Sequence, residues 1–453
     1  MRVMTRTLFG TDGIRGVAGT APMRAEDAFE LGRAATEHLR ETGHPKPSWV
    51  VGMDPRISSE MLARAFTAGA LARGADIHEA GVLPTPGVSF LTRHLGASAG
   101  VVISASHNPF HDNGLKLFNA KGEKLADEEE LAIEARIARR GEGLEPVQGV
   151  DLGRVRPRNG EASAYHDFLV SHAPFLDDMR VGLDCANGAA SLIAPEVFTK
   201  LGARLQVLHA KPDGVNINVE CGSTHPQTMQ DFVTNNELDV GITFDGDADR
   251  ALLIDARGRI VSGDHVLAIV AHVRGDKAVV GTTMTNLGIE RWLNSHGINL
   301  HRADVGDRYV HALLRSEGLR LGGEASGHVL FLDKAPTGDG ILTALQTLSA
   351  VRASGRSLES WMNEIPVYPQ ILTSLPVPPD RKAAIAAAPE LVEAVQAAEA
   401  RLADAGRVNV RPSGTEPLVR IMVEGEDAAR IEAEAATLKA TVESLSAAIE
   451  PAK

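Results

Sequence analysis

The sequence predicts an α/β protein built from three similar layered domains with mixed sheets and a smaller C-terminal α+β domain, all around one central cleft. Two observations carry this prediction: one strand-and-helix pattern occurs three times, and the composition changes after residue 353. The 453 residues, 43% of them hydrophobic, are more than one hydrophobic core organises. The 44 glycines and 23% charged residues are typical of a globular α/β chain.

The repeated pattern alternates apolar runs with amphipathic stretches. From Trp49, an apolar run ends in MDPR and is followed by an amphipathic stretch at 58–73, an apolar run at 75–82, another helical stretch and GVVIS. The pattern returns from Arg180 with RVGLD, RLQVLHA and DVGITF, and from Lys277 with AVVGTT, INLHRADV and LRLGGEASGHV. Each copy predicts parallel strands joined by helical crossovers, and so a layered α/β domain.

A polar loop follows the third strand of each copy. The three loops read ISASHNP, FDGDADR and GGEASGH. Ligands of open α/β sheets bind beyond the carboxyl ends of the strands, so facing domains bring such loops to one cleft. We therefore expect a shared active site.

The C-terminal part differs from the three repeats in composition and pattern. VYPQILTSLPVPPD contains four prolines, and RVNVRPSGTEPLVRIMVEGE has the pattern of a hairpin between two helical stretches. We expect four domains, carrying in turn the serine loop, the aspartate loop, the GEASGH loop and the RPSGT loop: 1–158, 159–260, 261–370 and 371–453.

Charge and cysteine usage exclude several classes of function. The 59 acidic and 46 basic side chains give a net charge of −13, without a basic tract for nucleic acid. Cys185 and Cys221 are too few for a disulfide framework or a Cys-rich zinc site, and the start of the chain lacks the apolar core of a signal peptide. No apolar run approaches the ~18 residues of a membrane span. We expect a cytoplasmic protein without a nucleic-acid or membrane partner.

Ser106 is the first candidate for chemistry. It lies in ISASHNPFHDNGLK, just past an apolar strand and beside His107. A serine exposed there suits a nucleophile or a phosphate carrier. Ser104 is a rival two positions away, and a polar turn that only ends the strand is the simpler interpretation.

Asp245, Asp247 and Asp249 alternate after the strand-like VGITF. Three such carboxylates can converge on a hard cation such as Mg²⁺, which keeps positions open for phosphate oxygens. An EF-hand is excluded because Arg250 stands where glycine is needed. A solvated acidic turn remains an alternative, and so does an aspartyl-phosphate phosphatase with Asp245 as nucleophile and Asp247 as acid.

Three further segments carry weaker signals. In GEASGH, the carboxylate of Glu324, the hydroxyl of Ser326 and the imidazole of His328 occupy alternate positions. In an extended segment they would share one face and could hydrogen-bond to sugar hydroxyls. FGTDGIRG combines Arg15 with glycines that permit close backbone approach. The hairpin turn offers a phosphate cradle of guanidinium, hydroxyl and backbone N–H groups, with no Walker A motif anywhere; its residues are Arg411, Ser413, Gly414, Thr415 and, further along, Arg420.

Together these motifs resemble the α-D-phosphohexomutase superfamily. FGTDGIRG, ISASHNP, FDGDADR, GEASGH and RPSGTEP stand in that family's order and spacing from end to end of the chain. Within the superfamily, GTDGIRG, Ser104, TNLG and VGDRYV are most similar to the bacterial amino-sugar branch. Ala325 departs from that branch, which usually has glutamine there.

The resemblance implies a role for each candidate residue. Ser106 would be the phosphoserine, with Arg15, Lys116 and His107 also catalytic, and Lys116 or His328 as the general base. Asp245, Asp247 and Asp249 would hold one Mg²⁺ together with the phosphate on Ser106. Substrate would be bound by Glu324, Ser326, His328 and Arg250, and the phosphate that is not transferred by Arg411, Ser413, Gly414, Thr415 and Arg420.

The implied reaction interconverts glucosamine 6-phosphate and glucosamine 1-phosphate. It would pass through the phosphoserine and glucosamine 1,6-bisphosphate, which also serves as activator, and would feed amino-sugar and cell-wall precursor synthesis. The alternatives are a phosphoglucomutase/phosphomannomutase and, in another class, a non-catalytic sugar-phosphate binding module. The partner is a phosphorylated amino sugar, and a homodimer is possible.

Overall fold

The structure is a computed structural model and describes residues 7–10, 12–156, 160, 162–413 and 417–448. Four sheets, of six, five, four and three strands, follow one another along the chain. Within the described part of the chain, no helix is both long and apolar enough to cross a membrane.

The first sheet has six strands in the order β1-β5-β4-β2-β3-β6. Strands β2, β3, β4 and β6 run parallel, while β5 pairs antiparallel with both β4 and β1. The strands are β1 (Ile14–Val17), β2 (Ser48–Met53), β3 (Asp76–Val82), β4 (Ala99–Ile103), β5 (Asp112–Asn119) and β6 (Val155–Arg156). The helices are α1 (Ala25–Glu41), α2 (Ser59–Leu71), α3 (Thr85–His94) and α4 (Asp127–Ala138).

The second sheet has the order β11-β10-β9-β7-β8, with β7, β8 and β9 parallel and β10 antiparallel to β9. Its strands are β7 (Arg180–Asp184), β8 (Arg204–Leu208), β9 (Val240–Phe244), β10 (Ala251–Asp255) and β11 (Ile260–Val261). The helices are α5 (Ala162–Ser171), α6 (Ala190–Lys200) and α7 (Gln227–Asn235).

The third sheet, in the order β13-β12-β14-β15, repeats this plan with β15 antiparallel to β14. Its strands are β12 (Ala278–Thr282), β13 (Asn299–Ala303), β14 (Leu321–Gly323) and β15 (Val329–Phe331). The helices are α8 (Gly263–Arg274), α9 (Leu287–Ser295), α10 (Asp307–Glu317), α11 (Gly340–Ser354) and α12 (Leu358–Glu364).

The C-terminal unit is a three-stranded antiparallel sheet in the order β16-β18-β17. Its elements are β16 (Gln370–Pro376), α13 (Lys382–Ala386), α14 (Pro389–Leu402), β17 (Gly406–Pro412), β18 (Leu418–Gly425) and α15 (Ala428–Ala448). The predicted fold class is confirmed: three mixed α/β layers are followed by a small α+β unit.

The third strand of each α/β repeat turns back into an antiparallel strand. These hairpins are β4–β5, β9–β10 and β14–β15, and their connecting loops are the polar segments of the sequence. The prediction that Glu324, Ser326 and His328 share one face of an extended segment is wrong. Gly327, at φ +90°, allows a tight turn in which its N–H bonds to Glu324 O at 3.0 Å.

The hydrophobic cores follow the layers. One buried cluster runs through the first three units and includes Val88, Leu183 and Leu345. A second lies on the other face of the first sheet, around Trp49 and Phe66, and a third belongs to the C-terminal unit. The shared cluster fixes the first three units against one another, so that their hairpin loops meet.

Candidate active site

Ser106 lies in the loop between β4 and β5, three residues past the end of β4. Its backbone is left-handed, with φ +52°, and its side chain is fully buried. The Ser106 hydroxyl donates to Asp245 Oδ2 at 2.6 Å, and the Ser106 N–H donates to Ser104 Oγ at 2.9 Å. The loop therefore delivers one hydroxyl directly to the aspartate loop of the second unit.

Ser104, the rival candidate, has a different set of contacts. Its hydroxyl donates to Asp54 Oδ2 at 2.6 Å while accepting the Ser106 N–H. Both bonds lie within the first unit and are fully buried. This geometry makes Ser104 a support for the loop and leaves Ser106 facing the carboxylates.

Sequence reasoning missed the side chains that hold the serine loop. Arg56 Nη2 donates to the carbonyl oxygens of Ser106 and Asn108, both at 2.8 Å, and its Nε pairs with Asp54 at 2.8 Å. From the second unit, Asn218 Nδ2 donates to the Ser106 carbonyl at 2.9 Å. The available signal was the MDPR sequence, a charged pair at the carboxyl end of a buried strand.

The aspartate loop connects β9 to β10. Its carboxylates lie close together: each of Asp245, Asp247 and Asp249 is buried and offers an oxygen within 4.8 Å of the others. Asp247 Oδ1 and Asp249 Oδ1 are buried atoms that make no hydrogen bond with the described residues. Burial and the charges of Asp249 and Asp247 raise the pKa of Asp245 well above its usual range. Three convergent hard oxygen ligands suit a divalent cation.

Lys116, on β5, is a buried cation beneath the same loop. Its Nζ lies 2.8 Å from Asp247 Oδ2, 3.5 Å from Asp249 Oδ2 and 3.0 Å from Asp12 Oδ2. Burial opposes its charge, but Asp12 and Asp247 raise the pKa of Lys116 above its ordinary value. Lys116 therefore remains charged and partly offsets the carboxylates.

The positive charges extend toward the third unit through Asp12. Arg15 and Lys124 both pair with Asp12, and Lys124 also pairs with Asp307 at the start of α10. Lys124 was not among the predicted site residues. Its link to Asp307 became visible only when the structure brought the first and third units together.

A cavity of about 390 Å³ opens beside these groups. Six predicted residues line it: Arg15, His107, Asp249, Arg250, Glu324 and His328. Ser326 is exposed and is not among the lining residues. The structure thus brings together residues from all three α/β repeats around one polar cavity.

The two histidines of the cavity have opposite electrostatic environments. Burial and the nearby Arg250 and Arg15 lower the pKa of His107 to about 4. His328 lies between two carboxylates, 3.6 Å from Asp249 Oδ1 and 3.7 Å from Asp307 Oδ2. Burial opposes its charge, but Asp249 and Asp307 raise the pKa of His328.

None of the described residues of the C-terminal hairpin lines this cavity, whose lining residues lie between positions 8 and 328. Arg411 and Arg420 are direct neighbours across β17 and β18, and the Ser413 N–H donates to Leu418 O at 2.8 Å. Burial and the Arg420 charge lower the pKa of Arg411. Gly414 and Thr415 lie outside the described residues.

Sequence models of a known enzyme family match nearly the whole chain. The four models describe phosphoglucomutase/phosphomannomutase α/β/α domains I, II and III and the C-terminal domain, and they match residues 6–143, 164–258, 262–368 and 372–440.

Individual relatives agree with the family models. The chain is 51% identical to a phosphoglucosamine mutase of Deinococcus radiodurans, over 98% of this chain and 99% of that one. It is 49% identical to a phosphoglucosamine mutase of Thermus thermophilus, over 93% of this chain and 94% of that one.

Solved structures show the same fold. A phosphoglucomutase/phosphomannomutase family protein of Burkholderia thailandensis superposes with a TM-score of 0.81 at 24% identity, over 98% of both chains. N-acetylphosphoglucosamine mutase of Aspergillus fumigatus, in complex with GlcNAc-6P and magnesium, gives 0.70 at 17% identity, over 98% of this chain and 96% of that one. With the four matching domain models, these findings show that the chain belongs to the phosphoglucomutase/phosphomannomutase family of the phosphohexomutases.

Proposed function

We propose that this chain is a phosphoglucosamine mutase, which interconverts glucosamine 6-phosphate and glucosamine 1-phosphate. The observation that carries the proposal is the 2.6 Å hydrogen bond from the Ser106 hydroxyl into the cluster of three buried aspartates. The shared name of relatives at 45 to 51% identity supports the amino sugar as substrate.

In the proposed reaction, Ser106 carries the phosphoryl group as a phosphoserine. A sugar hydroxyl attacks the phosphorus atom, the bond from phosphorus to Ser106 Oγ breaks, and the hydroxyl proton passes to a base. The product of this step is glucosamine 1,6-bisphosphate. It reverses its orientation in the cleft and then returns its other phosphoryl group to Ser106. Positioning and charge neutralisation supply most of the catalysis in phosphoryl transfer.

Asp245, Asp247 and Asp249 would hold one Mg²⁺ together with an oxygen of the phosphate on Ser106. When bound, the ion neutralises charge on the transferring phosphoryl group. The buried Oδ1 atoms of Asp247 and Asp249, which make no hydrogen bond with the described residues, support this assignment. Lys116, fixed by Asp12 and Asp247, adds a positive charge that does not move with the substrate.

The rim of the cavity would bind and orient the sugar. Glu324 and His328 face the cavity from the β14–β15 turn, and Arg250 and Arg15 add positive charge on its other sides. His107 also lines the cavity and would contact the substrate beside these groups. Ser326 would reach the sugar from the β14–β15 turn. His328 lines the cavity whereas Lys116 is buried beneath it, which favours His328 as the base.

The phosphate that is not transferred would be bound by the C-terminal hairpin. Arg411 and Arg420 are paired across β17 and β18 and the Arg420 charge lowers the pKa of Arg411, so an anion bound between them would relieve their repulsion. Ser413, Gly414 and Thr415 complete this proposed loop. The four domains, at 1–158, 159–260, 261–370 and 371–453, then each contribute one loop: carrier, metal, sugar and phosphate.

³¹P NMR tests the proposal directly. The protein is incubated with Mg²⁺, a trace of bisphosphate and, separately, glucosamine, glucose or mannose 6-phosphate. We expect a 1-phosphate resonance to grow fastest with the glucosamine substrate and to be absent with Ser106→Ala. Fastest conversion of glucose or mannose 6-phosphate would instead assign a phosphoglucomutase/phosphomannomutase, and no conversion of any sugar would favour a binding module.

A further inference from the structure

A second cluster of metal-ligating side chains lies outside the cavity. Asp184, His209 and Cys221 each offer a ligand atom, and these atoms all lie within 4.8 Å of one another. Among the residues that the structure describes, this cluster and the aspartate loop are the two groups of this kind. Its donors are oxygen, nitrogen and sulfur, so its chemistry differs from that of the three carboxylates.

The fold places the three ligands at one edge of the second sheet. Asp184 ends β7, and His209 directly follows β8, whose Leu208 pairs with Asp184. Cys221 returns to the same edge at the end of the 209–221 connection. Asp184 and Cys221 are fully buried, while the His209 side chain is 30% exposed and gives access from solvent.

The carboxylate of Asp184 is held in a fixed orientation. Its Oδ1 accepts the Ala186 N–H and its Oδ2 accepts the Gly222 N–H, both at 2.9 Å. His209 Nδ1 lies 3.1 Å from Asp184 Oδ1, yet this buried nitrogen has no hydrogen bond of acceptable geometry. Hydrogen bonds that orient a ligand in this way are typical of protein metal sites.

The backbone around the cluster is strained. Ala186, His209, Asn218 and Glu220 all have φ between +46° and +60°, a region that residues with side chains rarely adopt. Such outliers concentrate at functional and ligand-binding positions. Asn218 supports the serine loop, but His209 is itself a member of the cluster, and Ala186 and Glu220 lie within two residues of Asp184 and Cys221, to which the mutase reaction gives no role.

We propose that Asp184, His209 and Cys221 form a site for a borderline-soft divalent cation of the Zn²⁺ class. Thiolate, imidazole and carboxylate are the ligands that Zn²⁺ takes in proteins, and a fourth position would be left to solvent. Mg²⁺ does not compete, because it prefers oxygen ligands in octahedral geometry.

Binding exchanges a proton for the metal at Cys221. The Cys221 S–H bond breaks, the sulfur bonds to the ion, and one proton leaves to solvent without any change of oxidation state. Burial and the Asp184 charge raise the pKa of Cys221 to about 12, so the metal-free thiol is a poor nucleophile. In a tetrahedral zinc site the ligand atoms lie about 3.5 Å apart. His209, whose side chain is 30% exposed, is the least confined of the three ligands, so its ring would move most to reach that spacing.

The proposed metal site would fix both ends of the 209–221 segment, which supports the serine loop. Residues 209–221 include Asn218, whose side chain donates to the carbonyl oxygens of Ser106 and Asn108 at 2.9 and 3.1 Å. A metal that ties His209 and Cys221 to Asp184 joins both ends of this segment to β7. The cation would therefore stabilise the placement of Asn218 without touching substrate.

Co²⁺ is the probe for this site, because thiolate ligation gives a charge-transfer absorption that carboxylates do not produce. The full-length protein is stripped with chelator, saturated with Mg²⁺ and titrated with Co²⁺. We expect the thiolate band to saturate at one Co²⁺ per chain and to be displaced by Zn²⁺. Cys185→Ala, which removes the neighbouring cysteine, should keep the band.

Cys221→Ala should lose the band, and the affinity of His209→Gln for Co²⁺ should fall about tenfold or more. His209→Gln alters a partly exposed side chain and keeps the test valid if the buried cysteine variant does not fold. A missing band in the wild type, or a band retained by Cys221→Ala, overturns the proposal. An adventitious ion on the aspartate loop would give metal uptake without the thiolate band. That outcome also overturns the proposal.

Hydrogen exchange measures the effect on the 209–221 segment. Zn²⁺ should slow exchange of the Gly222 and Asn218 N–H groups, which bond to Asp184 and Ala186. His209→Gln should not show this protection. Identical exchange with and without Zn²⁺ in the wild type would contradict the proposed closure.

Discussion

The hydroxyl of Ser106 donates a 2.6 Å hydrogen bond to Asp245 Oδ2 across the boundary between the first and second units. A phosphoryl group on that oxygen would meet three carboxylates within a few ångströms. Such a dianion is stable there only if a cation stands between the phosphate and the aspartates. The relationship therefore couples the carrier serine to the metal loop.

Ser106→Ala should abolish mutase turnover, because it removes the oxygen that would carry the phosphoryl group. Intact mass spectrometry after incubation with bisphosphate should show one phosphate on the wild type and none on this variant. Ser104→Ala is the matched control: it removes the bond to Asp54 but keeps the carrier oxygen, so we expect reduced turnover and a phosphorylated protein. Phosphorylation of Ser106→Ala would move the carrier role to another residue.

Asp247→Asn should lower kcat by at least about a hundredfold, since it removes one charged oxygen from the cation site where phosphoryl charge is stabilised. Its Oδ2 also accepts from Thr85 Oγ1 at 2.6 Å and pairs with Lys116, so a melting curve must show that the variant is folded. Chelation of divalent ions should stop the wild type, with recovery on adding Mg²⁺. Full activity in excess chelator would exclude the metal role.

The sequence was sufficient to predict the three α/β repeats because strand and helix periodicity is local information. The serine and aspartate loops were found for the same reason: each is a short run of polar residues after an apolar strand. The clamp formed by Arg56 and Asn218 was not found, since both residues are far from Ser106 in the chain. The Glu324 turn was misread as a strand because the alternating pattern outweighed the signal of Gly327.

Arg56→Lys should destabilise the protein by about 1 to 3 kcal/mol, the range for leaving buried acceptors without their hydrogen bonds. Lysine cannot keep the fork of bonds from the guanidinium to Asp54 and to the carbonyls of Ser106 and Asn108. Because those carbonyls position the carrier, kcat should fall while KM changes little. Urea unfolding and steady-state kinetics measure the two effects, and unchanged stability would contradict the clamp.

Asp264 should make the stability pH-dependent. Burial raises its pKa from 3.8 to about 6, and one carboxylate oxygen accepts the Asn286 N–H at 3.0 Å. Because the folded pKa is raised, its contribution is fully present below about pH 4 and is lost as pH rises through 6. The loss is about 3 kcal/mol for a shift of roughly two pKa units.

Asp264→Asn tests this pH dependence, because the amide keeps an acceptor for Asn286 but does not ionise. The difference in unfolding free energy between variant and wild type should grow in favour of the variant between about pH 4 and 7. Asp167→Asn, at a side chain that is 81% exposed, is the control and should show no such trend. Parallel curves for the wild type and Asp264→Asn would remove Asp264 as the cause.

The preference for glucosamine 6-phosphate over glucose and mannose 6-phosphates should come from carboxylates at the cavity wall. Asp307 and Glu324 both line the cavity. Burial opposes charge on Asp307, but Lys124 and His328 lower its pKa, so it is ionised. A charge-assisted hydrogen bond to the 2-ammonium group is worth roughly 1.5 to 3 kcal/mol, or about ten- to a hundredfold in kcat/KM.

The measurement is kcat/KM for the three sugars at one concentration of Mg²⁺ and of bisphosphate activator. Glu324→Gln and Asp307→Asn identify the responsible group: the variant that removes it should narrow the preference chiefly by slowing the glucosamine substrate. A variant that slows all three sugars equally would mark a general binding role, because such a loss does not depend on the ammonium group. Equal kcat/KM for the glucosamine and glucose substrates in the wild type would show that neither carboxylate discriminates between an ammonium and a hydroxyl group at C2. That result would assign a broader hexose phosphate mutase, and the Ser106 and aspartate-loop tests would stand apart from it because they concern only the transferring phosphoryl group.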